Sequence, residues 1–177
     1  MSPSAGGSVL DAPTDEAYVA AIAPLFEGAP RFLAHLAAAR PFETPDAFFA
    51  QARARAHDMA EDEQIELLDA HPRLGARPGQ LSAMSLAEQG YDDDAEPVAD
   101  PIDVASELER LNADYEARFG FRYCVFVAGR TREVLLPDMA AALGEERDAE
   151  LHRGLDAVID IAVDRFSTLP ANDGETT

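Results

Sequence analysis

The stretch Leu151 to Leu169, LHRGLDAVIDIAVDRFSTL, decides how the rest of the chain is read. Leu151, Leu155, Val158, Ala162, Arg165 and Leu169 recur at steps of four, three, four, three and four. That is the period of an α-helix with one face turned to a core. The spacing predicts a last and longest helix over about 146–169. It also puts an arginine where a leucine would continue the stripe. Working back along the chain, the same period returns. Val19, Ile22 and Phe26 share a face, and an Ala/Leu-rich helix follows from Pro30. Thr44-Pro45-Asp46 supplies an N-cap, a proline for the first helical position and an early acid, ahead of Phe48 and Phe49. A helix ending near Ala70 runs into His71-Pro72. Asp100-Pro101 opens another, carrying Val104, Leu108, Leu111 and Tyr115, and Gly120 is placed to close it. Thr131 is placed to cap a further helix, which Pro137 is expected to kink or split.

One segment departs from the pattern. Phe121 to Val127, FRYCVFV, reads locally as a strand, yet no partner strand is visible. A lone strand cannot satisfy its backbone. The segment is therefore expected to be buried extended or helical chain; if extended, its N–H groups are free to bind something. Residues 73–84 and 90–100 read as loops. The expectation is an all-α fold with no significant sheet: a single compact domain of about eight helices over residues 14–170. Residues 1–13 and 171–177 are expected to be flexible termini.

Composition bounds the function. A chain of 177 residues, 47% hydrophobic, can bury a full core and is not a disordered chain. The net charge is −20, from 34 acidic and 14 basic residues, with no Lys/Arg-rich cluster. Nucleic acid and anionic membrane are excluded as partners. An anionic ligand would need a local positive patch against that field. Cys124 is the only cysteine and lies in an apolar run. No intrachain disulfide can form, which suits a reducing, cytoplasmic setting. No apolar stretch approaches the ~20 residues of a membrane span. Met1 to Pro13 lacks the basic start and apolar run of a secretory signal.

Three features carry chemistry. Histidine is the side chain suited to moving a proton near neutral pH, and Pro72 drives His71 off helical backbone. His71 reads either as a helix-terminating residue or as a catalytic one. Ser85-x-x-Glu88 has the form of a capping box; a capped helix start also offers N–H groups to an anion. Arg165, inside an apolar stripe, needs a partner. That partner is either an internal carboxylate or an anionic ligand. His35, His57 and His152 sit in helical contexts with no cysteine or second histidine at ligand spacing, so no metal site is expected. Phosphate-loop, dinucleotide and nucleophile-elbow motifs are absent.

Seven stretches, in this order, resemble one family: Leu25-Phe26-Glu27, Ala39-Arg40-Pro41-Phe42, Ala70-His71-Pro72-Arg73-Leu74-Gly75, Ser85-Leu86-Ala87-Glu88-Gln89, Leu111-Asn112-x-x-Tyr115, Arg118-Phe119-Gly120-Phe121 and Gly129-Arg130-Thr131. The family is 2-oxo-4-hydroxy-4-carboxy-5-ureidoimidazoline (OHCU) decarboxylase, which forms (S)-allantoin in urate degradation. The resemblance implies an all-α cytoplasmic homodimer acting on a small anionic substrate without cofactor. It implies His71 and Glu88 as catalytic residues. Pro72, Ser85, Leu86, Ala87, Glu88, Gln89 and Arg165, with Tyr123, Cys124, Val125, Phe126 and Val127, are implied to bind substrate. Some members carry Asp where this chain has Arg73, which is expected to add positive charge at the pocket mouth. If the ligand is the partner of Arg165, leucine there is expected to keep or raise stability. Two competing readings are an acidic helical interaction module and another enzyme of a related cyclic ureide. The first explains the charge but not Arg165 or the His71, Glu88, Gln89 grouping.

Overall fold

The computed structural model describes residues 9–90 and 102–169. Among these residues there are eight α-helices and no strand: α1 Asp15–Ile22, α2 Pro30–Ala38, α3 Pro45–Asp58, α4 Glu61–Asp69, α5 Ala83–Glu88, α6 Ile102–Phe119, α7 Arg132–Ala142 and α8 Arg147–Thr168. The all-α expectation holds. No helix among them is long and apolar enough to cross a membrane. The acidic stretch Asp92 to Asp94 and the helix start at Asp100-Pro101 lie outside the described residues, as do residues 1–8 and 170–177. Leu10, within the stretch expected to be a flexible N-terminus, is buried in a 3-10 turn over Val9–Asp11.

The stripe that opened the sequence reading is the centre of the fold. Leu151, Leu155, Val158, Ala162 and Arg165 are all buried on α8. This helix touches α3, α4 and a 3-10 turn over Ala23–Phe26. Gly154 lets α4 come close: a Cβ there would meet Leu68 Cδ2 at 3.2 Å. Along α3, Phe49, Arg53 and His57 lie at steps of four and meet Phe166, Asp156 with Asp160, and His152 of α8. The order reverses between the two helices, so they run antiparallel.

Local caps set some of the helix starts. The Thr44 hydroxyl caps α3, accepting from Ala47 N at 3.1 Å. Ser85-x-x-Glu88 is not the capping box it resembles. Ser82 caps α5, its hydroxyl accepting from Ser85 N at 3.2 Å, and Ser85 is buried inside the helix. Thr131 precedes α7 on extended backbone, but its side chain makes no cap hydrogen bond. Pro137 does not split α7. It removes one ladder donor, and both Pro137 and Glu133, whose carbonyl is freed, are exposed to water.

Residues 121–127 form neither strand nor helix. Arginines replace the missing partner strand. Arg153 Nη1 donates to Cys124 O at 2.9 Å, and Arg130 donates to Phe126 O at 2.6 Å and Val127 O at 3.0 Å. The Asp69 carboxylate accepts from Arg122 N at 2.9 Å. In return the segment caps the end of α4: Arg122 Nη1 donates to the carbonyls of Asp69 and His71, each at 2.8 Å, and the Cys124 thiol points at Leu68 O. Burial pushes that thiol up to about 12, so Cys124 is packing and not a nucleophile.

Candidate active site

A cavity of about 570 Å³ opens between the end of α4, α5, the extended segment and the last turns of α8. His71, Pro72, Ser85, Ala87, Glu88, Gln89, Tyr123, Cys124, Val125, Phe126, Val127 and Arg165 all line it. Leu86 does not. It lies roughly 200° around α5 from both Met84 and Glu88, which face the cavity.

His71 is 3% exposed and sits just past the last turn of α4. Its backbone N–H donates to Leu68 O at 3.1 Å, and its ring Nδ1 lies 3.0 Å from Leu67 O. A carbonyl only accepts, so Nδ1 carries the hydrogen and caps a helix-end carbonyl. Nε2 is then the bare nitrogen, and it is buried with no partner among the described residues. Burial, together with the Arg165 and Arg122 charges, pulls the imidazole down to about 4, against the opposing Leu67 bond and Glu27 charge. The ring is neutral at pH 7, with a free lone pair. The helix-terminating reading of His71 holds, and the same arrangement leaves Nε2 without a partner among the described residues.

Arg165 is 2% exposed, and all three of its nitrogens bond within the protein. Nε donates to Glu88 Oε1 at 2.5 Å and Nη2 to Glu88 Oε2 at 2.8 Å, a two-pronged pair. Nη2 also reaches Glu27 Oε1 at 2.8 Å and Ser85 Oγ at 3.0 Å, and Nη1 donates to Pro24 O at 2.7 Å. One of the five guanidinium hydrogens, on Nη1, is left over. Of the two partners open from sequence, the internal carboxylate is the one in place. There are two such carboxylates, so the condition under which a leucine at 165 is expected to keep stability is not met.

Glu27 is the residue that sequence reading missed. The Ser85 and Ser82 hydroxyls both donate to Glu27 Oε1, Ser82 from 2.9 Å. Burial raises the Glu27 carboxyl, but the Ser85 bond, the Arg165 charge and bond, and the Ser82 bond together hold it below the usual range. Its backbone adopts φ 51°, a left-handed conformation rare outside glycine, and Gly28 follows at 75°. Only the motif Leu25-Phe26-Glu27 hinted at it, without a role. Ala128, on the cavity wall, is the other non-glycine at positive φ among the described residues, also 51°. Such outliers gather at functional sites. Arg130, also on the wall, was part of a matching stretch but had no role either.

Two expected polar contacts are turned elsewhere. Gln89 Oε1 accepts from Gly75 N at 2.9 Å and Nε2 donates to Arg73 O at 3.2 Å, so its amide ties α5 to the loop after His71. Arg73 forms a two-pronged pair with Glu116, at 2.8 and 2.5 Å, and adds no free charge at the mouth. The extended chain, by contrast, leaves the backbone N–H groups of Tyr123 to Val127 without protein partners among the described residues.

Over 158 residues the chain is 28% identical to a 2-oxo-4-hydroxy-4-carboxy-5-ureidoimidazoline decarboxylase of Haloferax volcanii, covering 87% of this chain and 92% of that protein. It is 28% identical over 152 residues to the uric acid degradation bifunctional protein PucL of Bacillus subtilis, covering 86% of this chain and 30% of that one. Its fold matches a crystal structure of OHCU decarboxylase in the presence of (S)-allantoin with a TM-score of 0.64, at 19% identity, over 87% of this chain and 96% of the other. The OHCU decarboxylase family model matches residues 11–167, which takes in His71, Glu88 and Arg165, and the chain belongs to that family of carboxy-lyases.

Proposed function

We infer that this cavity removes carbon dioxide from OHCU and yields (S)-allantoin in urate degradation. The carboxylate leaves C4 as carbon dioxide. Its bonding pair moves through C5 to the ring nitrogen, which takes a proton from solvent. The enol so formed passes its hydroxyl proton to C5, and C4 becomes a carbonyl. The imidazoline itself is the electron sink. The protein must hold the carboxylate, stabilise the developing charge and carry one proton to one face of C5.

One observation carries this reading: a buried, neutral imidazole with a bare Nε2 on the wall of a cavity whose other walls offer hydrogen-bond donors. Nε2 is set to accept the hydroxyl proton. The burial that keeps His71 neutral makes its imidazolium a strong acid, which hands the proton on to C5. The free N–H groups of Tyr123 to Val127 and the spare Nη1 hydrogen of Arg165 suit the ureide oxygens and the carboxylate. Glu88 acts through Arg165, which it grips and orients. The wider reading, a cytoplasmic homodimer needing no cofactor, rests on the family likeness; sedimentation of the purified chain tests the dimer.

Replacing His71 tests the core of the proposal. His71→Ala is expected to fold and to lose about 100- to 10,000-fold in turnover. The assay couples the chain to uricase and hydroxyisourate hydrolase and follows the circular dichroism of the product, with spontaneous decay subtracted. Near-normal turnover in a folded His71→Ala protein would remove His71 from the chemistry.

A further inference from the structure

We propose that His57 and His152 form a second site, away from the cavity, that takes a divalent transition-metal ion of the Zn²⁺ class between α3 and α8. The two residues are far apart in sequence. The antiparallel packing of α3 and α8 brings their Nδ1 atoms to 2.6 Å. The rings lie within 18° of parallel, with centroids 4.9 Å apart. That separation is about the Nδ1 gap plus the two ring radii. The nitrogens therefore point head-on at each other, and the rings do not overlap face to face.

Only one hydrogen fits between two such nitrogens. His57 Nε2 lies 2.9 Å from Asp156 Oδ1, and that oxygen also accepts from Arg53 Nη1 at 2.6 Å. The carboxylate accepts, so His57 carries its hydrogen on Nε2 and turns a bare Nδ1 into the gap. This carboxylate-to-imidazole arrangement orients metal-bound histidines generally. His152 supplies the hydrogen in the gap. A metal ion takes that hydrogen's place, and His152, which is exposed, carries its proton on Nε2 instead. Zinc–nitrogen bonds of about 2.0–2.1 Å at a tetrahedral angle need the nitrogens roughly 3.3 Å apart. Rotation of the exposed His152 side chain supplies that widening while Asp156 keeps His57 in place. No group of three or more histidines, cysteines or carboxylates among the described residues is arranged to hold a metal. The site is a two-nitrogen one, completed by water. The net charge of −20 draws cations towards the chain.

The test is calorimetric titration of the metal-free chain with Zn²⁺, with Mg²⁺ as control, alongside NMR of the histidine ring nitrogens. Zn²⁺ is expected to bind once, to shift His57 and His152 but not His35 or His71, and to raise the melting temperature. His152→Ala, at an exposed position, is expected to fold, keep its decarboxylase activity and lose the heat of binding. Asp156→Asn is expected to weaken binding about 10- to 100-fold. Equal Zn²⁺ binding by wild-type and His152→Ala proteins, shifts at other histidines, or no binding at millimolar metal would each overturn the proposal.

Discussion

Helix α8 carries two buried ion clusters fifteen residues apart, about 22 Å along its axis, and they are built in opposite senses. At Arg165 the cation is 2% exposed and meets two carboxylates, Glu27 and Glu88, which are 13% and 18% exposed. At Glu150 the carboxylate is the buried member, 4% exposed, and a single arginine, Arg153, closes the charge from 36% exposure. Tyr115 Oη donates to Glu150 Oε2 at 2.6 Å, and burial, then Glu150, pushes the tyrosine hydroxyl well up. The Glu150 cluster is neutral overall and supports the extended segment from behind, through Arg153 and Cys124 O. The Arg165 cluster holds one carboxylate in excess and keeps one Nη1 hydrogen spare. Arg165 and Glu88 line the cavity, whereas Glu150, Arg153 and Tyr115 stand behind the segment that forms its wall.

Removing each central charge should separate the two. Arg165→Leu strands Glu27 and Glu88 side by side without their cation. Breaking a buried pair in this way costs about 3–5 kcal/mol, and decarboxylation should vanish with it. Chemical denaturation measures the first effect and the dichroism assay the second. If the leucine variant is as stable as wild type, the cluster does not carry the weight its geometry implies. Arg165→Lys should rescue poorly, because an ammonium cannot grip Glu88 with two prongs.

Mild acid, near pH 5, bears on the cavity side through His71. Folded His71 binds its proton only near pH 4, whereas unfolded His71 binds near its ordinary 6.5. Between these values the unfolded chain holds the extra proton. Stability is therefore fully present above pH 6.5 and falls as pH drops towards 4, by at most about 1.4 kcal/mol per unit from this group. Glu27 acts in the same sense lower down: its depressed carboxyl contributes stability above its ordinary 4.5, lost as pH falls below it. Denaturant midpoints at pH 7.5 and 5 should differ in the wild type and converge in His71→Ala. A slope that survives His71→Ala would place the sensitivity elsewhere. By the same logic, kcat/KM should not decline on crossing 6.5.

Glu150→Gln should cost less, about 2 kcal/mol, the scale of a hydrogen bond to a charged group. Arg153 keeps its bond to Cys124 O. Turnover should stay near wild type, because no member of this cluster bears on the reacting atoms. A large loss of rate at unchanged stability would break the contrast between the two clusters.

The sequence revealed what local spacing encodes. The α8 stripe, the Thr44 cap and the His71-Pro72 stop each depend on residues a turn or two apart, and each is found as read. What depends on distant partners was out of reach. Nothing near Arg165 in sequence names Glu27, which precedes it by more than a hundred residues, and nothing near His57 names His152. The free N–H groups of Tyr123 to Val127 could be anticipated because a strand without a partner is conspicuous. That arginines, and not another strand, would satisfy its carbonyls was not visible. Pro137 was over-read: a proline breaks a helix less when the carbonyl it abandons is already in water.

The smallest expected effect belongs to Ser82, the residue the sequence passed over in favour of Ser85. Its hydroxyl does two things at once: it accepts from Ser85 N at 3.2 Å, capping α5, and donates to Glu27 Oε1 at 2.9 Å. Loss of a serine cap typically costs about 1 kcal/mol. Glu27 would keep Ser85 and Arg165, so its carboxylate is not stranded. Ser82→Ala should therefore lower stability by about 1 kcal/mol and leave most of the activity. Ser85→Ala should do the reverse: it opens no cap, but it removes a hydroxyl that donates to Glu27 and accepts from Arg165. Its loss should appear in substrate affinity and turnover more than in the melt. Measuring both variants by thermal melt and by dichroism assay decides which serine belongs to the helix and which to the site. If Ser85→Ala melts early with full activity, the two roles are exchanged and the Arg165 cluster is scaffold after all.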